Sequence, residues 1–200
     1  MKVFKATDGD MSCHMGMGKF QYHLGVPARA DESKCGSTGL HACEYVLDCT
    51  GYYSMDGKHR FFEAEASGDI AEDGVDTRIS CTELTLTREL CNKDIAREVI
   101  RFIVRHPRRD GWKKKGVMVM VNEENAEIST RDGIAIARGT NPRVKGCDGA
   151  HVGWIRETED GITEAKLMTV GEALEPGRWY TIEEAKDAIR RKKDEADADT

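Results

Sequence analysis

The 200-residue chain has no apolar run of roughly 18 residues, the length a bilayer-spanning helix requires. It also lacks any signal-peptide pattern, since Met-Lys-Val-Phe-Lys passes directly into the polar Thr7-Asp8-Gly9-Asp10. These two absences predict a protein with no membrane partner, made and kept in a cytoplasm. No cysteine or histidine pair falls at C-x-x-C or H-x-x-x-H spacing, which removes the usual sequence signal of a structural metal site. The seven cysteines (Cys13, Cys35, Cys43, Cys49, Cys81, Cys91, Cys147) are an odd set without an export signal. They are expected to be reduced, mostly buried thiols, with no disulfide framework and no metal.

What is present is a hydrophobic fraction of 39%, enough for a modest core in one domain or two small ones. The net charge of −6 conceals an asymmetry: from Lys93 to Lys115 nine bases face three acids, a local +6 that leaves −12 for the rest. Residues 1–91 read as short strands with one short helix. Val3-Phe4 starts a strand, Phe20 to Leu24 offers another, and Glu44 to Tyr53 forms the helix, ending near Gly51. Arg60 to Ser67 and Ile79 to Leu86 alternate apolar and polar residues as half-buried strands, with 68–74 as the hairpin connection.

Asn92 can cap an amphipathic helix carrying Ile95, Val99, Phe102 and Ile103, closed by Pro107, and residues 92–115 read as a bridging helix with a basic linker. Residues 116–200 form a small β-rich unit of very short apolar pieces. Pro176 to Tyr180 turns into a last strand, and a capping box at Thr181 and Glu184 opens a final helix. The predicted fold class is therefore α+β.

The densest stretch of reactive side chains runs from Cys35-Gly36-Ser37-Thr38-Gly39-Leu40-His41-Ala42-Cys43 to Gly51-Tyr52-Tyr53. Together with Phe4-Lys5-Ala6, Cys13, Phe20-Gln21-Tyr22 and Phe62 to Gly68, it resembles the N-terminal domain of an uncharacterised family common in phages and prophages of gut bacteria. Residues 132–139, 144–146 and 153–155 resemble the short solenoid-like turns that follow that domain in longer relatives, where they recur several times. Here barely one repeat is legible, and a lone repeat cannot bury its own face. The resemblance implies a phage-type accessory protein of the host cytoplasm that binds a host macromolecule. Inhibition of a bacterial defence system, in the manner of an anti-CRISPR protein, is the setting it suggests.

Two sets of residues are candidates for function. Arg97, Arg101 and Arg105 recur every fourth residue on one helix stripe, continued by Arg108, Arg109, Lys113, Lys114 and Lys115. Such a stripe suits a host protein or ribonucleoprotein with an acidic or polyanionic surface, or is a solvated helix face; few aromatics flank it, so base stacking is not indicated. The second set is similar in order to ADP-ribosyltransferases: Lys5 on an early strand, Gly39-Leu40-His41, then Tyr52 and Tyr53, then Glu83 on a later strand. That resemblance implies NAD as cofactor, a tyrosine against nicotinamide and Glu83 on its ribose. Lysine at position 5 departs from the histidine or arginine expected there, and no S-T-S or E-x-E motif leads to Glu83. A cysteine nucleophile paired with His41 is a third arrangement, which proximity in sequence alone does not establish.

Overall fold

The computed structural model describes residues 1–14 and 18–198. The fold is α+β and rich in strands, and the chain divides into two compact units, Met1–Cys91 and Asn92–Thr200. Among the described residues no helix is long and apolar enough to cross a membrane.

The first unit contains β1 (Lys2–Asp8), β2 (Ser12–Cys13), β3 (Phe20–Gln21), β4 (Pro27–Arg29), β5 (Leu40–Cys43), a 3-10 helix Val46–Gly51, β6 (His59–Glu72) and β7 (Arg78–Leu90). All its pairings are antiparallel. The long β6–β7 hairpin takes β1 on the outer edge of β6, from Lys2↔Glu65 to Asp8↔His59, and takes β5 and then β4 on the outer edge of β7. Because β5 also meets β1, at the single pair Phe4↔Cys43, the sheet closes on itself as a small barrel. Alternation explains the filling: Phe62, Ala64 and Ala66 point into the core, while Glu65 between them is exposed.

Gly68, expected in the hairpin connection, lies within β6 at a bulge where the register shifts between Ser67 and Ile70. Its φ is 75°, and a Cβ there would collide with the Thr82 hydroxyl, so glycine is required. The turn itself is confined to residues 73–77. The strand expected from Phe20 to Leu24 is cut to Phe20–Gln21, which pairs only with β2.

The second unit contains α1 (Asn92–Arg105), β8 (Lys114–Lys115), β9 (Val119–Ile128), β10 (Ile134–Gly146), β11 (His151–Thr158), β12 (Gly161–Thr169) and α2 (Ile182–Ala198). Strands β9, β10 and β11 are parallel neighbours, with β8 and β12 antiparallel on the two edges. The connections between them are far too short for a flat parallel sheet. Ile134 is paired with Val119 although β9 runs on to Ile128. A straight strand would carry the chain roughly 30 Å away, and the six steps back span at most about 22 Å. The strands therefore bend, and each is most of one coil of a short solenoid. The corners are visible at Glu124, whose φ is 54°, and in the register shift between Arg138 and Arg143. Glu124 also stitches successive corners, its carboxylate accepting from the Thr140 and Asn141 backbone N–H groups at 3.0 and 3.3 Å. Successive coils fill one core with small and large residues, including Ala126, Ala135, Ala137, Val152 and Trp154.

Helix α1 is part of this unit and not a free bridge: Ile95, Val99, Ile100 and Ile103 are buried, and α1 packs on β11, β10 and β12. Gly153 on β11 admits Ile100, whose Cδ1 would otherwise meet a Cβ at 2.8 Å. The Asn92 side chain, expected as a cap, instead donates to the carbonyl and carboxylate of Asp132. The last strand expected at residues 176–180 is reduced to one bridge, Val144↔Tyr180. The capping box forms as expected: Thr181 N–H donates to Glu184 Oε2 at 2.8 Å, and Glu184 N–H to Thr181 Oγ1 at 3.3 Å.

Candidate functional site

The weakest seam of the barrel is that between β1 and β5, joined by one register pair. A cavity of about 430 Å³ lies there, bounded by both strands, the Gly36–Gly39 loop and the end of the 3-10 helix. Lys5, His41, Tyr52 and Tyr53 all line it, so four positions scattered over nearly fifty residues of sequence share one site.

The 3-10 helix delivers the tyrosines because its start is pinned from below. Asp48, buried, accepts from Thr77 N–H at 3.1 Å and Thr77 Oγ1–H at 2.7 Å, and Thr77 Oγ1 accepts in turn from Tyr45 N–H at 2.9 Å. Tyr52 then donates to Asp76 at 3.1 Å, and Arg78 lies over its ring at 5.5 Å. Burial, with Asp76 beside it, pushes the Tyr52 phenol up to about 12. Burial likewise pushes Tyr53 up to about 12.

Lys5 projects from β1 with the same parity as Val3 of the core, donating to the His41 carbonyl at 2.7 Å. His41 is a staple for the cavity lip: its Nε2 accepts from Gly36 N–H at 3.0 Å, which spends the lone pair a general base would need. Burial holds its pKa below the usual 6.5, and the cations Lys5 and Arg78 add to this. The neutral ring is therefore the native form. Since an unfolded chain takes up the proton first, stability of the first unit is expected to fall as pH drops below about 6.5. Thermal melts between pH 7.5 and 5 should show this fall reduced in His41→Gln; an unchanged pH slope in that variant would contradict it.

The thiols are similarly unsuited to attack. Cys43 is held protonated by its hydrogen bond with Cys49 and by burial, and burial also raises Cys35 and Cys81. Cys49 donates to the Phe4 carbonyl and Cys81 to that of Leu40, both at 3.3 Å. Among the described residues no three His, Cys, Asp or Glu side chains gather to hold a metal ion.

Glu83 does not line the cavity. Ile79 and Cys81 point into the core, but so do Leu84 and Leu86, so the inward parity of β7 changes opposite the Gly68 bulge. Glu83 is left on the outside, 3.5 Å from Arg29 of β4. Strict alternation would have faced it inward with Ile79 and Cys81. The cavity residue that sequence reasoning passed over is Arg78, the first residue of β7, bonded through Nη2 to Asp73. Its position opposite Cys43 depends on the β5–β7 register, which no local pattern announces.

The basic residues belong to the second unit. Arg97 is paired with Asp94 and Arg101 with the buried Glu98, each at 2.6 Å. Lys113 is paired with Glu123 at 2.7 Å, Arg109 lies over the Phe102 ring, and Lys114 and Lys115 form the edge strand β8. Arg105, Arg108 and Lys115 are exposed and have no carboxylate partner among the described residues.

No curated protein and no solved structure matches the chain. Residues 1–98, which contain the whole cavity, are similar to a family model described as a domain of unknown function, DUF7666.

Proposed function

We propose that the chain acts by binding a host macromolecule with an acidic or polyanionic surface, in the phage or prophage setting where it would blunt a bacterial defence system. The observation that carries the contact is the basic segment closing and following α1, where Arg105, Arg108 and Lys115 are exposed and form no ion pair among the described residues. Unneutralised cations set a long-range attractive field, whereas Arg97 and Arg101 spend theirs within the helix. The contact surface is therefore centred on 105–115, beyond most of the arginine stripe.

The experiment is binding to a DNA duplex of about 30 base pairs as a polyanionic probe, across a salt series. Three phosphate contacts give a slope of about −3 in log K against log salt. Replacing Arg105, Arg108 and Lys115 by glutamate should remove that slope and at least tenfold of the affinity at low salt, with thermal melts unchanged. Equal binding by both proteins would mean that the segment is only a solvated surface.

A second reading keeps one observation in its favour: Lys5, His41, Tyr52 and Tyr53 do share a cavity. An ADP-ribosyltransferase-like enzyme would hold NAD there, yet its glutamate, Glu83, is on the opposite side of the strand wall, beside Arg29. Transfer of label from NAD to a host lysate, abolished by Glu83→Gln, would replace the binding reading by this one; no transfer is expected.

A further inference from the structure

A lysine ammonium withdrawn from water is costly unless an opposite charge meets it. Lys5 is only 8% exposed, and its partners are the His41 carbonyl at 2.7 Å and the face of Tyr22, 5.4 Å from the ring centroid. No carboxylate reaches it among the described residues. An ammonium has three donors, so at least one is unspent.

Two further donors are unspent in the same cavity. The hydroxyl of Tyr53, a residue 8% exposed, lies near the Cys13 thiol and the His14 backbone but makes no hydrogen bond of good geometry among the described residues. Arg78 gives Nη2 to Asp73, but its Nε is buried with only the Cys35 thiol nearby and no acceptor of good geometry among the described residues. Lys5, Tyr53 and Arg78 all line the cavity, and no aspartate or glutamate does. Buried donors without acceptors are uncommon in folded proteins. Two of them beside a buried ammonium that no carboxylate among the described residues meets describe the outline of a missing acceptor that is rich in oxygen and negatively charged.

The remaining walls specify the rest of the ligand. Tyr52, half-buried with Arg78 over one ring face, and Phe20, 37% exposed at the margin, are the aromatic walls with accessible surface, while Tyr22 behind them is packed in the core. Ring faces suit a planar aromatic group, and a volume of about 430 Å³ falls within the roughly 300–1,000 Å³ of small-molecule sites.

We propose that this cavity is a binding site for a small aromatic phosphate, of the size and chemistry of a nucleoside monophosphate. Lys5, Tyr53 and Arg78 take the phosphate, and the aromatic walls hold the base. The site is separate from the basic segment of the second unit, and either can fail without the other.

The test is calorimetric titration of the full chain with the four ribonucleoside monophosphates, their nucleosides and inorganic phosphate. At least one nucleotide should bind saturably below 1 mM, on the order expected for one charged and one stacked contact, with its nucleoside at least tenfold weaker. Lys5→Met should weaken the nucleotide at least tenfold and leave the nucleoside within about twofold. Tyr53→Phe should weaken the nucleotide several-fold and change the melt little, because its hydroxyl makes no hydrogen bond of good geometry. Should Lys5→Met fail to fold, Tyr53→Phe carries the comparison. No saturable binding of any of the four at about 5 mM would overturn the proposal. So would inorganic phosphate binding as tightly as the best nucleotide, or wild-type affinity in both variants.

Discussion

Asp48→Ala is expected to destabilise the first unit by about 3–5 kcal/mol. Asp48 is a buried carboxylate accepting two hydrogen bonds from one residue, Thr77, and bonds to a charged acceptor contribute roughly 1.5–3 kcal/mol each. Truncation also leaves the Thr77 N–H buried without an acceptor. Thr77 in turn ties down its neighbours, accepting from Tyr45 N–H through its hydroxyl and from Glu44 N–H through its carbonyl. The loss therefore spreads from the turn at 73–77 to the 3-10 helix that carries Tyr52 and Tyr53. Asp48→Asn, which keeps an acceptor oxygen but not the charge, should lose about half as much. Urea unfolding checks both, and a double-mutant cycle with Thr77→Val should return a coupling above about 1 kcal/mol. Wild-type stability in Asp48→Ala, within about 0.5 kcal/mol, would mean that the pair is not what anchors the helix.

Trp154→Ala is expected to cost the second unit a similar amount, about 3–5 kcal/mol. The side chain is fully buried in the solenoid core, the largest residue in a cluster that includes six alanines and three valines. Its indole N–H donates to the Tyr180 carbonyl at 2.9 Å. That carbonyl also accepts from Val144 N–H at 3.0 Å, so it is not orphaned when the indole is removed. Trp154→Phe should therefore lose about 1–2 kcal/mol, mostly as unfilled volume. A phenylalanine variant as unstable as the alanine one would shift the weight from packing to the hydrogen bond.

Elements whose cause is local were legible in the sequence. The Thr181/Glu184 box needs only four residues to specify itself, and it forms with both reciprocal bonds. The apolar spacing of Ile95, Val99, Phe102 and Ile103 likewise defined α1, although not the surface it covers. Alternation identified the cores of β6 and β7 but not their lengths, because Gly68 reads as a turn residue and serves as a bulge. The same bulge parts Glu83 from His41, Tyr52 and Tyr53, with which the resemblance to ADP-ribosyltransferases groups it: counting by twos along β7 would put it inside, and the parity change puts it outside. The stacked coils were nearly invisible. Their pairings repeat at Val119, Ile134 and His151, intervals of 15 and 17 residues, and the residues that face inward are often alanine, which carries little hydrophobic signal. Arg97 and Arg101 were correctly placed on one stripe, but their acids lie three residues earlier on the same helix and neutralise them.

The solenoid of the second unit has a consequence for how such a chain can change its length. Each coil rests on the one before through backbone pairing that does not depend on the side chains outside, and the antiparallel β12 caps the last coil. Removing a single residue from a coil would turn its inward alanines toward water and its outward charges into the core. Duplicating a whole coil between β10 and β11 would leave every inward position inward and the β12 cap unaltered. Gene duplication in units of one coil is thus the tolerated route of growth, and small insertions belong only at the corners, such as 129–133 and 147–150.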